Sequence, residues 1–327
     1  MSEYKFEAEP LYFPLEKGVY EVGPGLRPLG FDLGAGEFDQ RIFQIAADYN
    51  KFRENKLNCY RENLEKYRPA VLPESEFKAH LTEFFKSRLL KEYPPLFKAF
   101  ENENAPGAFA HSGDSFSKLS EWKKGSISAL GLPLDRMEEL DFLSLQFPED
   151  WAITDLTDDG KDHLSYLNVC SPSHWAPGDK LHQSFLQVHH VVPGSEKLVA
   201  ASRALVEAMI NKGPYVRFVW SFVTDKNLNH HPSPAPGVDP ATWKGRSWNA
   251  TQSPPFHLRV ERQTTWGFPK FNKALFTIRV GFIDGKDILA SAEKRRQLLS
   301  TLMSMTPASR TYKGVDVCFD DLTAILK

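Results

Sequence analysis

Between Asn168 and Gly194 the chain runs NVCSPSHWAPGDKLHQSFLQVHHVVPG, which gathers four histidines, one tryptophan and one lysine on a proline-punctuated backbone. A neutral imidazole can ligate a metal, a lysine can neutralise an acidic cofactor arm, and an indole supplies a flat apolar wall. The spacing argues against a zinc cage. His174, His182 and His189 are too far apart for the short paired spacings of zinc ligands, and Cys170 has no CxxC partner. A site built on one histidine fits better. Heme iron takes a single protein axial ligand, and its pocket needs apolar walls and cations for two propionates.

A second stretch, His257 to Phe282, reads as two strands joined by a turn at Gly267 to Asn272. In the first half Leu258 and Val260 share one face, while His257, Arg259, Glu261 and Gln263 share the other. In the second half Phe276, Ile278, Val280 and Phe282 line one face and Arg279 projects from the opposite one. The polar row is either a solvated face or the floor of a pocket.

Together these stretches resemble the alpha subunit of heme-dependent oxidative N-demethylases, also called dimethylamine monooxygenases. Gly25-Leu26-Arg27-Pro28-Leu29 looks like the family's GLRPL segment, and Pro172 to Leu181 looks like its PSxWxPxxKxG block. Val188 to Pro193 is similar to IHxPVP, Arg259 to Thr264 to RVERQT, Phe276 to Arg279 to FTIR, and Tyr312-Lys313-Gly314 to YKG. The chain departs from the pattern at His182, where the family has glycine, at Val191 for proline, and at Gly267-Phe268-Pro269 for RLP.

The resemblance implies an α+β fold: a PAS-like antiparallel sheet core over residues 126–327, an N-terminal helical extension over 1–125, and a closing C-terminal helix. It implies heme b, with His189 as the iron ligand and His190 as the alternative, since neighbours in extended backbone face opposite ways. Lys180, Arg217, Arg259, Arg262 and Arg279 are the candidate propionate partners, Trp175 is a candidate wall, and Glu261 is the candidate catalytic group that holds an amine or relays protons. The implied reaction is oxidation of an N-methyl carbon by O2, with the carbinolamine collapsing to a primary amine and formaldehyde. The chain has neither a Gly-rich dinucleotide fingerprint nor a four-cysteine iron–sulfur pattern, so electrons are expected from external flavin and ferredoxin-type reductase subunits. A heme sensor of the same fold and a heme-free small-molecule-binding protein are the alternatives.

Composition sets the frame for these residues. With 327 residues, 41% hydrophobic and 13% aromatic, the chain can enclose a large planar ligand. Forty basic and forty-two acidic residues are interspersed, which argues against nucleic acid as a partner. Cys59, Cys170 and Cys318 lack framework spacing, no stretch has the length of a membrane span, and no signal sequence opens the chain, so a soluble cytoplasmic protein is expected. Helices are expected from Glu37 to Phe100, with Phe38, Ile42, Ile45, Ala46 and Tyr49 in one period and Phe77, Leu81, Phe84, Phe85 and Leu89 in another. A linker is expected over Glu101 to Asp114, and further helices at Leu134–Leu140, Glu196–Ile210 and Ala290–Met305. Strands are expected at Ala152–Thr154, Leu164–Val169 and Tyr215–Val223.

Overall fold

The computed structural model describes residues 6–100, 108–111, 131–249 and 256–327. Six strands form one antiparallel sheet in the order β1 (Arg27–Pro28), β6 (Tyr215–Val223), β7 (His257–Phe268), β8 (Lys273–Asp284), β4 (Asp150–Leu156) and β5 (Asp162–Asn168). A separate hairpin joins β2 (Phe97–Phe100) to β3 (Ala108–His111). The expected linker otherwise falls outside the described residues, as does the expected boundary near residue 125. Helices α1 (Tyr49–Tyr67), α2 (Glu76–Glu92) and α3 (Glu139–Ser144) precede the β-rich part. Within it lie α4 (Pro177–Lys180), α5 (Phe185–His189), α6 (Glu196–Ala200), α7 (Ser202–Asn211) and α8 (Pro240–Trp243). The chain closes with α9 (Gly285–Ala290), α10 (Ala292–Met303), α11 (Pro307–Lys313) and α12 (Phe319–Leu326). Among the described residues no helix is long and apolar enough to cross a membrane.

Residues paired across strands share a face, so the register divides the sheet. One face carries Trp220 and Phe222 on β6, Leu258, Val260 and Arg262 on β7, Leu275, Arg279 and Ile283 on β8, and Trp151 and Ile153 on β4. Both chain ends cover it. Phe43, Phe77, Leu81, Phe85 and Leu89 pack on Trp151, Ile153 and Leu275, while Leu298, Leu302 and Leu322 pack on Trp220, Phe222, Leu258 and Val260. The other face carries Arg217, Val219, Arg259, Glu261, Gln263, Phe276 and Ile278, so the alternation read from the sequence holds.

The expected helix through Phe38 to Tyr49 does not form. A short 3-10 turn spans Gly36–Gln40, and α1 starts only at Tyr49. The intervening amides find side-chain acceptors instead: Glu92 takes the N–H of Ile42 and of Phe43, both at 3.2 Å, Glu149 takes Gln44 at 2.7 Å, and the Tyr93 hydroxyl takes Ile45 at 2.8 Å. The carbonyls are bound as well. Arg262 donates to Arg41 and Ile42, and Arg279 donates from Nε to Gln44 at 2.9 Å while its Nη2 grips both carboxylate oxygens of Asp48. Tertiary partners satisfy this backbone so fully that the helical pairing has nothing to add.

Three smaller boundaries move for local reasons. Glu138 and Asp141 form a capping box that starts α3 at Glu139, past the expected Leu134. Ala201 interrupts the expected 196–210 helix into α6 and α7. Ser291 accepts from the Lys294 amide and starts α10 at Ala292. The α2 helix ends at Glu92, just before Pro94 and Pro95, as expected.

At the open end of the sheet β1 pairs only with Tyr215 and Val216, so the outer edge of β6 beyond them has no strand partner among the described residues. Lys313, buried at the end of α11, donates from Nζ to the Trp220 carbonyl at 2.5 Å.

Arg279→Ala removes the cation from a nearly buried pair and leaves the Gln44 carbonyl unanswered. Urea unfolding is expected to show a loss of about 3 kcal/mol relative to the parent chain, and a loss within experimental error would show that this contact does not hold the segment.

Candidate functional site

The uncovered sheet face and the segment 170–211 above it bring most of the chemistry-bearing residues together. Over β4 and β5, Trp175 and Leu181 pack against Ala152, Leu167 and Val169. Phe185 packs with Val206, Met209 and Ile210. Over β6, β7 and the adjoining part of β8 the cover is thinner: Arg217, Val219, Glu261, Gln263 and Phe276 are half-buried, and neither Val219 nor Phe276 joins an apolar cluster of the described residues. Half-buried apolar and charged side chains side by side are what a ligand with both characters requires.

His189 closes α5. The expectation of extended backbone around it is corrected, because Ser184 and Gln187 form a capping box and the Asp162 carboxylate accepts from the Phe185 amide, which together start a helix here. Alternating faces therefore no longer separates His189 from His190; burial does. His189 is half-buried and stacks on the Phe185 ring with centroids 4.0 Å apart, whereas His190 is exposed. The His189 Nδ1 lies 2.7 Å from the Phe185 carbonyl, an arrangement that fixes the tautomer with its proton on Nδ1. Its Nε2 has no hydrogen-bond partner among the described residues. Burial holds the imidazole down to about 4, well below its ordinary value, with Arg217 and Lys180 adding to the effect, so the ring is neutral at pH 7.

The candidate cations divide sharply. Arg262 and Arg279 lie on the opposite face of the sheet from Glu261, bound to the 41–48 segment, and do not join the site. Arg259 shares the site face but is fully buried, donating to the carbonyls of Ser171, Asn227 and Leu228. It ties two loops to β7. Arg217 is different: its Nε is buried, it has no hydrogen bond or ion pair among the described residues, and it acts on both His189 and Glu261. Lys180, also close enough to act on His189, likewise makes no ion pair among the described residues.

Glu261 sits centrally. Gln263 donates to its Oε2 at 3.0 Å, and Arg259 Nε approaches its Oε1 to 3.8 Å. Cross-strand register places Val219 directly opposite and Arg217 one step along. Sequence reasoning listed Tyr312-Lys313-Gly314 as a motif but not as part of the site. Lys313 nonetheless reaches this neighbourhood; burial brings its amine down to about 8, with Glu261 opposing that shift and Arg217 reinforcing it.

The other histidines of these segments are mostly not solvent-facing. His230 and His231 are buried, and His230 Nε2 lies 2.9 Å from Asp225. His174 stacks on His230 with rings 5.3 Å apart and contacts the Lys244 carbonyl at 2.8 Å. His257 pairs with Asp284 at 2.8 Å, while His182 is exposed. His182 has φ of 65°, the left-handed region that favours glycine, which accounts for glycine in the PSxWxPxxKxG pattern at this position. Among the described residues no three His, Cys, Asp or Glu side chains converge as a metal cage.

Residues 37–323, most of the chain, match the sequence family described as haem-dependent oxidative N-demethylase, alpha subunit-like. No curated protein matches the chain.

Two expectations follow from this geometry. His182→Gly is expected to raise stability by up to about 1 kcal/mol in urea unfolding, because it removes backbone strain; a loss of stability would place the residue in a contact of its own. Burial also lowers His174 to about 4 from 6.5, so the folded chain binds fewer protons here than the unfolded one. The stabilising contribution is complete above pH 6.5 and lost as pH falls toward 4. The stability gap between the parent chain and His174→Gln should therefore narrow across that window, and a gap independent of pH would contradict a neutral buried ring.

Proposed function

This chain belongs to the haem-dependent oxidative N-demethylase, alpha subunit-like family, and on that premise we propose that it is a heme-dependent monooxygenase that removes a methyl group from a small N-methylated amine. The observation that carries the reading is the pairing of His189, whose Nδ1 is engaged and whose Nε2 is open, with Arg217, whose buried Nε is unanswered by any described residue. These residues fit the proposed group. A neutral imidazole fixed by a main-chain carbonyl would be suited to hold iron through its other nitrogen. Arg217 and Lys180, neither of which makes an ion pair among the described residues, suit two propionates. Phe276, Ile278, Trp175 and Leu181 would give a porphyrin apolar contact, and on this reading the sheet with its helical cover is a PAS-like core.

When bound and reduced, heme b supplies the oxygen-activating chemistry. The overall change is balanced by one O2, two electrons and two protons, which convert N–CH3 to N–H with formaldehyde and water as products. The chain's own residues do the rest. His189 would hold the iron, and Arg217 with Lys180 would meet the propionates. Glu261, kept in place by Gln263, receives the substrate nitrogen and holds its proton. Half-buried aromatic walls limit water around the methyl group. Electrons come from a separate reductase of flavin or ferredoxin type, in keeping with a family described as alpha subunit-like.

Hemin titration followed by absorption spectroscopy tests this. The parent chain is expected to take up one hemin, His189→Ala to lose the Soret signature of a histidine-ligated heme, and His190→Ala to keep it. Arg217→Leu is expected to lower hemin affinity roughly tenfold or more, the worth of one or two charge-assisted hydrogen bonds. An unchanged spectrum for His189→Ala, or a parent chain that stays colourless, would overturn the proposal.

A further inference from the structure

Glu261 stands between two valines on the site face of the sheet. Register sets Val219 of β6 directly opposite it on one side and Val280 of β8 directly opposite it on the other. Directly opposed side chains in an antiparallel pair stand about 5 Å apart at Cβ. The two valines differ in what they touch. Val280 is buried in a cluster with Phe52 and Leu228, so the β8 side of Glu261 is closed. Val219 is half-buried and packs into none of the apolar clusters of the described residues. Its neighbours on the same face of β6 are Arg217 and Ser221, both polar.

The carboxylate beside Val219 keeps acceptor capacity. Gln263 donates to Oε2 at 3.0 Å, Arg259 Nε stays outside hydrogen-bond reach of Oε1 at 3.8 Å, and a carboxylate has about four lone-pair positions. An ammonium group docked there spreads its substituents over the neighbouring strand. On the β6 side they meet the two methyl groups of Val219, a side chain with no donor and no acceptor. A single methyl on the nitrogen extends only about 1.5 Å, the length of one carbon–nitrogen bond, and falls short of the valine. A chain of two or three carbons reaches it.

We propose that Val219 is a specificity-determining residue, and that the substrate is an N-methylalkylamine whose second substituent is a short hydrocarbon chain lying on Val219 while the nitrogen sits on Glu261. Such a chain gains with each methylene it covers, whereas a hydroxyl in the same place gives up its water without finding a partner. The inference rests on the heme reading above and narrows it to a substrate class.

Calorimetric titration of the hemin-loaded full chain at pH 7 tests this with two probes of one shape, N-methylpropylammonium chloride and N-methyl-2-hydroxyethylammonium chloride. They differ only in a terminal methyl against a hydroxyl. The propyl compound is expected to bind at least about tenfold more tightly. In Val219→Thr, which keeps the shape and β-branching of the strand residue, the ratio should fall to within about twofold while hemin stoichiometry is kept. Equal or tighter binding of the hydroxyl compound to the parent chain, or no detectable binding of either, overturns the substrate assignment alone. A ratio that survives intact in a folded, hemin-loaded Val219→Thr chain overturns the role of the valine, and so does a loss of hemin uptake in that variant, which would place Val219 against the macrocycle. Should Val219→Thr fail to fold, Val219→Ala is read in its place, with a fall in the ratio of about threefold expected and an unchanged ratio overturning the assignment. A parent chain that takes up no hemin overturns the heme reading and this inference with it.

Discussion

Buried arginines that must find acceptors, and a stretch of backbone that must find partners, solve each other's problem on one face of the sheet. Arg262 and Arg279 project from β7 and β8 into the covered side, where a guanidinium without hydrogen bonds would be costly. The carbonyls of Arg41, Ile42 and Gln44 receive them, while Glu92, Tyr93 and Glu149 receive the amides of the same segment. Burial raises Glu149 to about 7, with Arg279 and the Gln44 amide opposing the rise. The N-terminal helices are thereby fixed to the sheet through polar groups with defined geometry as well as through the aromatic cluster of Phe43, Phe85, Phe147 and Trp151. Apolar burial supplies most of the attraction; the polar network selects one docking position.

With that face closed, the opposite face is left for a ligand, and alternation along β7 sorts adjacent residues into different tasks. Arg259 and Arg262 are three apart in one motif, yet one ties loops over the site and the other anchors the N-terminal segment behind it. Glu261 lies between them and points toward the site face. A rigid strand with both neighbours immobilised is a precise mount for a carboxylate, since its backbone cannot shift without breaking contacts on both sides. The histidine across the site is held differently, by a short helix whose start is fixed by Ser184, Gln187 and Asp162.

Much of the architecture was legible because it depends on period. The strand pair from His257 to Phe282, the edge-to-edge run Tyr215–Val223 and the amphipathic helix through Phe77 and Leu89 all follow from spacing. Period says which face a side chain takes, and not what waits there. Five cations were therefore equivalent in the sequence, although three of them bind main-chain carbonyls and the other two make no ion pair among the described residues. The non-helical stretch before Tyr49 was hidden for the same reason, because its partners Glu92, Glu149 and Arg279 lie far away in sequence. The α5 helix was readable in principle from Ser184 and Gln187, a capping pair masked by surrounding prolines and glycines. Lys313 reaches the edge of β6 from the far end of the chain, and no local pattern announces that.

The lysine on the outer edge of β6 also bears on how the molecule behaves toward its own kind. An unpaired strand edge offers a row of amides and carbonyls on which another polypeptide can align, the first step toward sheet extension and fibrous association. A buried ammonium seated on the Trp220 carbonyl occupies that template at its middle, and any incoming strand would have to evict a charge. The same ammonium thus makes that edge a costly place for a second strand to align.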